Sequence, residues 1–554
     1  MMELESNIGL NGHNFDKISE PKSDLEQEEV DLAAQQPDKV DGREIVYIQG
    51  PRFWLISAVV AIMMFMVNFE VPVVVTALVA ITDELGGFEN VGWVVSAYLL
   101  GYVAVIVIFA KFSDIFGRKL IFMLSIFIFI VFSAACSAAQ TIVQLAVFRA
   151  LQGVGGGGCW SLATIFVIEL VPPEKCAQYV SNISTVNALA LLVGPIVGGA
   201  IASGTTWRWI FIVNVPICIP AFVIGIFAIP NGFPYGDRVN YRQKAAAKSP
   251  LSRIDILGNI LILFATLALT SAFEEADKKF PWRSGYVIAL LTIAGLLWIA
   301  LGWWEYYVTA ANNVREPILP WRFLNNRHMM GILLNLVFLG GPTIISMFII
   351  PQRFELVYNS SGIGAGVKLI PFTALIPIGS IVGSTLAGKH KVPPVYILLF
   401  GSALQVIAFA LLGTLPKVLT IPPRVYGLEV MAGFGSGSNF ALLFIMIQFV
   451  NERVDHAVAM GAGSQFRMMG SSLVLAIATS VSNTYARPKL QTLLGISDTD
   501  ALSAIIPTLS PALQEQVRLL LAESYNRQVL VLCVSAALQI PCTFLMWRKK
   551  QLTV

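Results

Sequence analysis

The chain is 554 residues long, a length that would suit three or four soluble domains at about 100–200 residues each. Composition excludes that reading. Hydrophobic residues make up 56% and charged residues 13%, with a mean hydropathy of +0.72, and so much apolar surface would leave large exposed patches on a water-soluble fold. The net charge is +3 but uneven: residues 1–50 hold twelve acids against four bases, a net of −8, which leaves +11 for the rest.

Residues 1–50 are acidic, polar and poor in aromatics, the composition of a disordered tail. With no basic start and no apolar run, the segment is not a signal peptide. From Phe53 onward the chain reads as fourteen apolar stretches of the length needed to cross a bilayer. These are 53–81, 92–110, 119–139, 142–165, 180–202, 209–229, 254–273, 286–306, 329–350, 363–387, 394–414, 425–449, 457–482 and 528–547. An even number puts both termini on one side. The short loops on that side and the C-terminal tail 548–554 carry eighteen Lys and Arg, against about eleven opposite, four of which fall in the long segment 483–527. Both termini are therefore expected in the cytoplasm. Segment 230–253 reads as a basic cytoplasmic loop, and 483–527 as an external excursion in which 510–522 forms an amphipathic surface helix. Asn359-Ser360-Ser361 is an external glycosylation acceptor, whereas Asn182-Ile183-Ser184 lies in a helix and should be silent.

Two soluble-enzyme patterns are set aside. Gly153-Val-Gly155-Gly-Gly-Gly158 satisfies the dinucleotide spacing but lies inside an apolar helix with no preceding strand, where small residues let helices approach closely. Gly383 to Gly388 followed by Lys389 resembles a phosphate loop, but His390 stands where a magnesium-binding hydroxyl is needed. The six cysteines (Cys136, Cys159, Cys176, Cys218, Cys533, Cys542) follow neither a disulfide nor a metal spacing. No cofactor, metal or nucleic-acid partner is expected. The lipid bilayer is the expected partner.

Two charges inside apolar stretches are costly and mark function. Counting helical rise inward from the outer ends, Glu70 lies about 16 Å deep and Arg149 roughly 12 Å deep, so the two can pair. Glu70 is read as the proton-binding group and Arg149 as the residue that tunes it, a purely structural ion pair being the alternative.

The loop Ala110-Lys-Phe-Ser-Asp114-Ile-Phe-Gly117-Arg118-Lys119 closely resembles the signature loop of the major facilitator superfamily, with Ala110 in place of the first Gly. Arg149-Ala-Leu-Gln152-Gly153-Val-Gly155 resembles that family's fourth-helix pattern. Gly194-Pro195-Ile-Val-Gly198-Gly199 resembles the motif of its antiporters, with plain helix packing as the alternative. Trp207-Arg208-Trp209-Ile-Phe211 with Asn214 and Pro216 resembles the sixth-helix opening of the fourteen-helix drug:proton antiporters. The segment around Asn68-Phe69-Glu70 resembles the same branch's first helix, with Glu70 for Asp, Pro72 for Thr and Val79 for Pro.

The resemblance implies an all-α polytopic fold. Six-helix bundles span 51–229 and 307–547, with two helices inserted at 254–306, and the substrate site lies between the bundles. Asp114, Gly117, Arg118 and Lys119 would form a conformational latch. Gly194, Pro195, Gly198 and Gly199 would form the antiporter motif, and Trp93, Tyr98, Tyr102, Gln152 and Arg467 are candidate cavity residues. The implied activity is proton-coupled efflux of amphipathic drugs, toxins or secondary metabolites, as in fungal exporters, with a small-molecule substrate and protons as partners of a monomer that has no enzyme activity. The plasma membrane is the first expectation and the vacuolar membrane the second. A siderophore-type importer, a vacuolar basic amino-acid exchanger and a non-transporting receptor or scaffold remain alternatives.

Overall fold

The structure, a computed structural model, describes residues 47–86, 92–234, 253–277, 280–310, 315–452, 455–494, 506, 509–549, 551 and 553. The acidic tail up to residue 46, most of the basic loop 230–253 and part of 483–527 lie outside the described residues. Where a chain must bury nearly continuous apolar segments in hydrocarbon, helices satisfy every backbone group internally. Every named element is helical.

The principal helices are α1 (Pro51–Val75), α2 (Gly92–Phe116), α3 (Arg118–Ser137), α4 (Ile142–Glu169), α5 (Pro173–Gly204), α6 (Arg208–Ala228), α7 (Ile256–Glu275) and α8 (Gly285–Ala310). They continue as α9 (Arg327–Leu356), α10 (Gly364–Gly388), α11 (Pro394–Gly413), α12 (Arg424–Val450), α13 (His456–Leu494) and α14 (Pro511–Leu545). Among the described residues, thirteen helices are long and apolar enough to cross a membrane. The exception among these fourteen is α13, which is diluted by polar residues yet buries Gly461, Gln465, Arg467 and Val474 against its neighbours.

Local chemistry sets several helix ends. Thr141 caps α4 by accepting from the Gln144 amide at 3.2 Å, and Asp255 caps α7 by accepting from the Gly258 amide at 3.0 Å. Gly117, at φ 99°, makes the turn from α2 to α3, a conformation that only glycine adopts without strain.

Helix pairing repeats between the two halves of the chain. In the first half α4 packs on α2 and α3, α1 on α5 and α6, and α3 on α6. In the second half α12 packs on α10 and α11, α9 on α13 and α14, and α11 on α14, the same pattern eight helices later. The halves meet through α5 with α10 and α2 with α13. Helix α7 sits against α2 and α13, and α8 packs mainly on α7, leaving Leu296, Ile299 and Trp303 at 63%, 72% and 70% exposure, a face suited to lipid.

The structure differs from the sequence reading at two places. The stretch 53–81 is not one helix: it breaks after Val75 and resumes as Leu78–Leu85. The excursion 483–527 is largely helical. Helix α13 runs on to Leu494, and the segment read as a surface helix is the first part of α14, with Val517, Leu520 and Leu521 buried. The two extensions hold each other, Ser482 and Ser524 exchanging a hydroxyl hydrogen bond of 2.6 Å. Alternating polar residues hid a packed helix there.

Candidate functional site

Glu70, near the end of α1, and Arg149, on the second turn of α4, meet inside the first half. Arg149 Nη1 donates to Glu70 Oε1 at 2.6 Å, and neither residue has any exposed surface. Gln152, one turn along α4, donates from Nε2 to the same carboxylate oxygen at 3.0 Å and accepts from Arg149 Nη1 at 2.7 Å. The second carboxylate oxygen accepts from Asn214 of α6 at 2.6 Å. Ser133 of α3 accepts from Gln152 at 2.7 Å. Arg149 is held from its other side by Nε donating to the Val94 carbonyl at 2.9 Å and by the Tyr98 ring, whose centroid is 4.3 Å from the guanidinium carbon. The carboxylate thus accepts three hydrogen bonds in a pocket closed to bulk solvent and built by five helices.

The glycines of α5 fix where Glu70 sits. A Cβ on Gly194 would lie 2.8 Å from Pro72, and one on Gly198 would lie 2.2 Å from the Thr76 hydroxyl, so α5 rests on the turns of α1 that follow Glu70. A Cβ on Gly199 would meet nothing within 4 Å, and Pro195 lies inside the helix. The glycine run of α4 does the same against α2 and α3: a Cβ on Gly153 or Gly157 would strike the Tyr98 or Tyr102 carbonyl, and one on Gly155 the backbone of Phe129.

The signature loop makes a second cluster. Arg118 bridges Asp114 at 2.6 Å and Glu169 at 2.8 Å, tying α3 to the ends of α2 and α4, while Lys119 donates to Asn231 at 3.0 Å. One Asp114 oxygen is buried without a partner. The connection out of the first half comes from the neighbouring Lys111, paired at 2.9 Å with Glu316, which also binds Arg253. Burial opposes ionisation of Glu316, but Lys111 and Arg253 outweigh it and hold the carboxyl below the usual carboxylate range. Beside this cluster α2 touches α13, with Gly461 against Ala110 and Gln465 accepting from the Val107 amide at 3.1 Å.

Of the candidate cavity residues, Tyr98 and Gln152 belong to the ion-pair pocket. Tyr102 and Arg467 lie within electrostatic reach of each other at the interface of the halves, and Trp93 is half-buried in the first turn of α2. Asn359 is exposed, its side-chain oxygen accepting from Arg518 at 2.8 Å. Sequence reasoning missed the direct contact of Asn214 with Glu70. The signal was its place in the sixth-helix motif, a lone amide opening an apolar run. Ser133 gave no signal, being one serine among several on α3. The described cysteines are free thiols.

A helical bundle of two like halves, the first enclosing a buried ion pair, is the architecture of a membrane transporter. The family model of the Major Facilitator Superfamily matches residues 53–475, and the chain belongs to that superfamily. It is 37% identical over 493 residues to the MFS-type transporter FPY5 of Fusarium mangiferae, an alignment covering 88% of this chain and 83% of that protein. It is 30% identical over 450 residues to the efflux pump FUS6 of Gibberella fujikuroi, covering 80% and 78%. Among solved structures, a bacterial homologue of the human lysosomal transporter Spinster, inward-facing and unoccupied, aligns with a TM-score of 0.55 at 15% identity. That alignment covers 91% of this chain and 100% of the other, and the likeness is one of fold.

Proposed function

We propose that the chain is a proton-coupled efflux transporter of small amphipathic organic compounds, with both termini in the cytoplasm, working in the plasma membrane. The observation that carries the coupling is the Glu70 carboxyl, sealed from water and held by Arg149, Gln152 and Asn214. A carboxyl with three donors, one of them a cation, exists in two chemically distinct states. Ionised, it keeps Arg149, Gln152 and Asn214 drawn onto α1. Protonated, it releases one of them, loosening α4 or α6 from α1. A proton bound at Glu70 therefore changes how the helices of the first half hold together, which is what coupling to alternating access requires. The relative named as an efflux pump supports export as the direction. Asp114, Arg118 and Lys119 act as the latch on the cytoplasmic side, with Lys111 and Glu316 extending it.

The test uses purified protein in liposomes with an imposed pH gradient and an internal pH dye. Amphipathic cations, anions and neutral metabolites, basic amino acids and a siderophore are added in turn. Collapse of the gradient by one class, absent in Glu70→Gln, is expected. Normal proton exchange in Glu70→Gln overturns the assignment of Glu70. Uptake coupled to proton entry in the same direction turns the reading into an importer.

A further inference from the structure

Most buried cations in the described residues hold a carboxylate: Arg149 holds Glu70, Arg118 holds Asp114 and Glu169, and Lys111 holds Glu316. Arg467 does not. It lies on α13, 4% exposed, and makes no ion pair and no side-chain hydrogen bond among the described residues, its Nε being buried without a partner. What surrounds it is aromatic. The guanidinium carbon is 5.2 Å from the Phe440 ring of α12 and 5.7 Å from the Trp160 ring of α4, and Tyr102 of α2 lies within electrostatic reach. Two helices from each half therefore converge on one uncompensated positive charge.

An unpaired buried charge is costly, and ring faces offset only part of that cost. Glu429, the buried acid of α12, does not relieve it. Glu429 stands eleven residues before Phe440 on α12, roughly 16 Å away along the helix, and both its oxygens lack partners. The guanidinium thus keeps a free planar fork matched to a carboxylate, with flat apolar walls on either side.

Resting on the exporter reading above, we propose that the transported compound is an amphipathic organic anion. Its acid group pairs with Arg467, and its flat apolar body lies against Trp160 and Phe440. Binding draws α4 and α12 onto α13, so the substrate itself joins the two halves. A cation meets like charge in the same place and is rejected.

The test compares three probes of one shape: 2-naphthoate, its methyl ester and (2-naphthyl)trimethylammonium. In isothermal titration on the detergent-solubilised full chain, 2-naphthoate is expected to bind about tenfold or more tighter than the other two, the advantage of a charge-assisted pair. Arg467→Gln should abolish that preference, and Arg467→Lys should keep part of it. Equal binding of acid and ester by the unmodified protein overturns the proposal without needing any variant, as does an acid preference that survives in Arg467→Gln. Binding is read independently of movement. Acid-selective binding with no proton-linked transport of any probe would sink the exporter reading and leave the anion site standing. Transport of the ester or the ammonium probe without the acid would do the reverse.

Discussion

The side chains around Glu70 have unequal roles, and substitution separates them. Removing one partner of a fully buried pair leaves the other charged and alone, so Arg149→Ala should destabilise the solubilised protein by about 3–5 kcal/mol. Adding Glu70→Gln should restore part of that loss, because the double variant no longer strands a charge. Thermal unfolding followed by size-exclusion chromatography reads both. Glu429 predicts the opposite behaviour: neither of its oxygens has a partner, so Glu429→Gln should leave stability within about 0.5 kcal/mol or raise it. Glu70 and Arg149 were legible in the sequence because a charge in an apolar run has few benign explanations, and helical rise gave their matching depths. The amide and hydroxyl that complete the pocket were not. Asn214 and Ser133 are cheap to place in a membrane helix, so Asn214 had only its motif position to mark it, and Ser133 had nothing until α3 is seen to pack on α4 and α6.

Between elements, contact distance decides what a motif does. Gly198 and Gly199 are neighbours in the antiporter-like motif, yet only Gly198 faces α1 at a distance that excludes a methyl group. Gly198→Ala should cost about 1–3 kcal/mol through overpacking, while Gly199→Ala stays within about 0.5 kcal/mol, as thermal unfolding of the two variants will show. The loop cluster gives a pH-dependent counterpart. Because Lys111 and Arg253 hold the Glu316 carboxyl below its ordinary range, its contribution is present above that range and fades as pH falls through it. Glu316→Gln should therefore lower stability by about 1 kcal/mol at neutral pH and low salt, with the difference from the parent disappearing only as pH falls below the usual carboxylate range, and shrinking in high salt. The loop's glycine turn was legible from Gly117, whereas its tie to Glu316 joins residues far apart in sequence and left no local trace.

At the scale of the molecule, the apolar stretches and their order were readable because the bilayer imposes both length and polarity on a spanning segment. What the stretches could not carry was the extent of α13 and α14, whose outer turns alternate polar and apolar residues and so resemble surface structure. The halves close on each other at the seam where α2 meets α13, and Gly461 packs there without room for a methyl group against Ala110. Gly461→Phe should wedge it open. A cysteine placed at Ala110, shielded in the parent, should then react several-fold faster with a membrane-impermeant maleimide added on the side where α1 begins. Unchanged labelling would mean that the seam does not gate access.

The lengths of α13 and α14 have a practical consequence. At 39 and 35 residues they measure about 58 and 52 Å, well beyond the 30 Å hydrocarbon layer, and Ser482 and Ser524 bind them together. They therefore raise a short, stiff mast on the face opposite the start of α1, continuous with the helix that carries Arg467. A nanobody gripping that mast would supply the rigid landmark that a small, featureless membrane particle lacks in electron cryomicroscopy. Its tilt from image to image would report the swing of the second half directly.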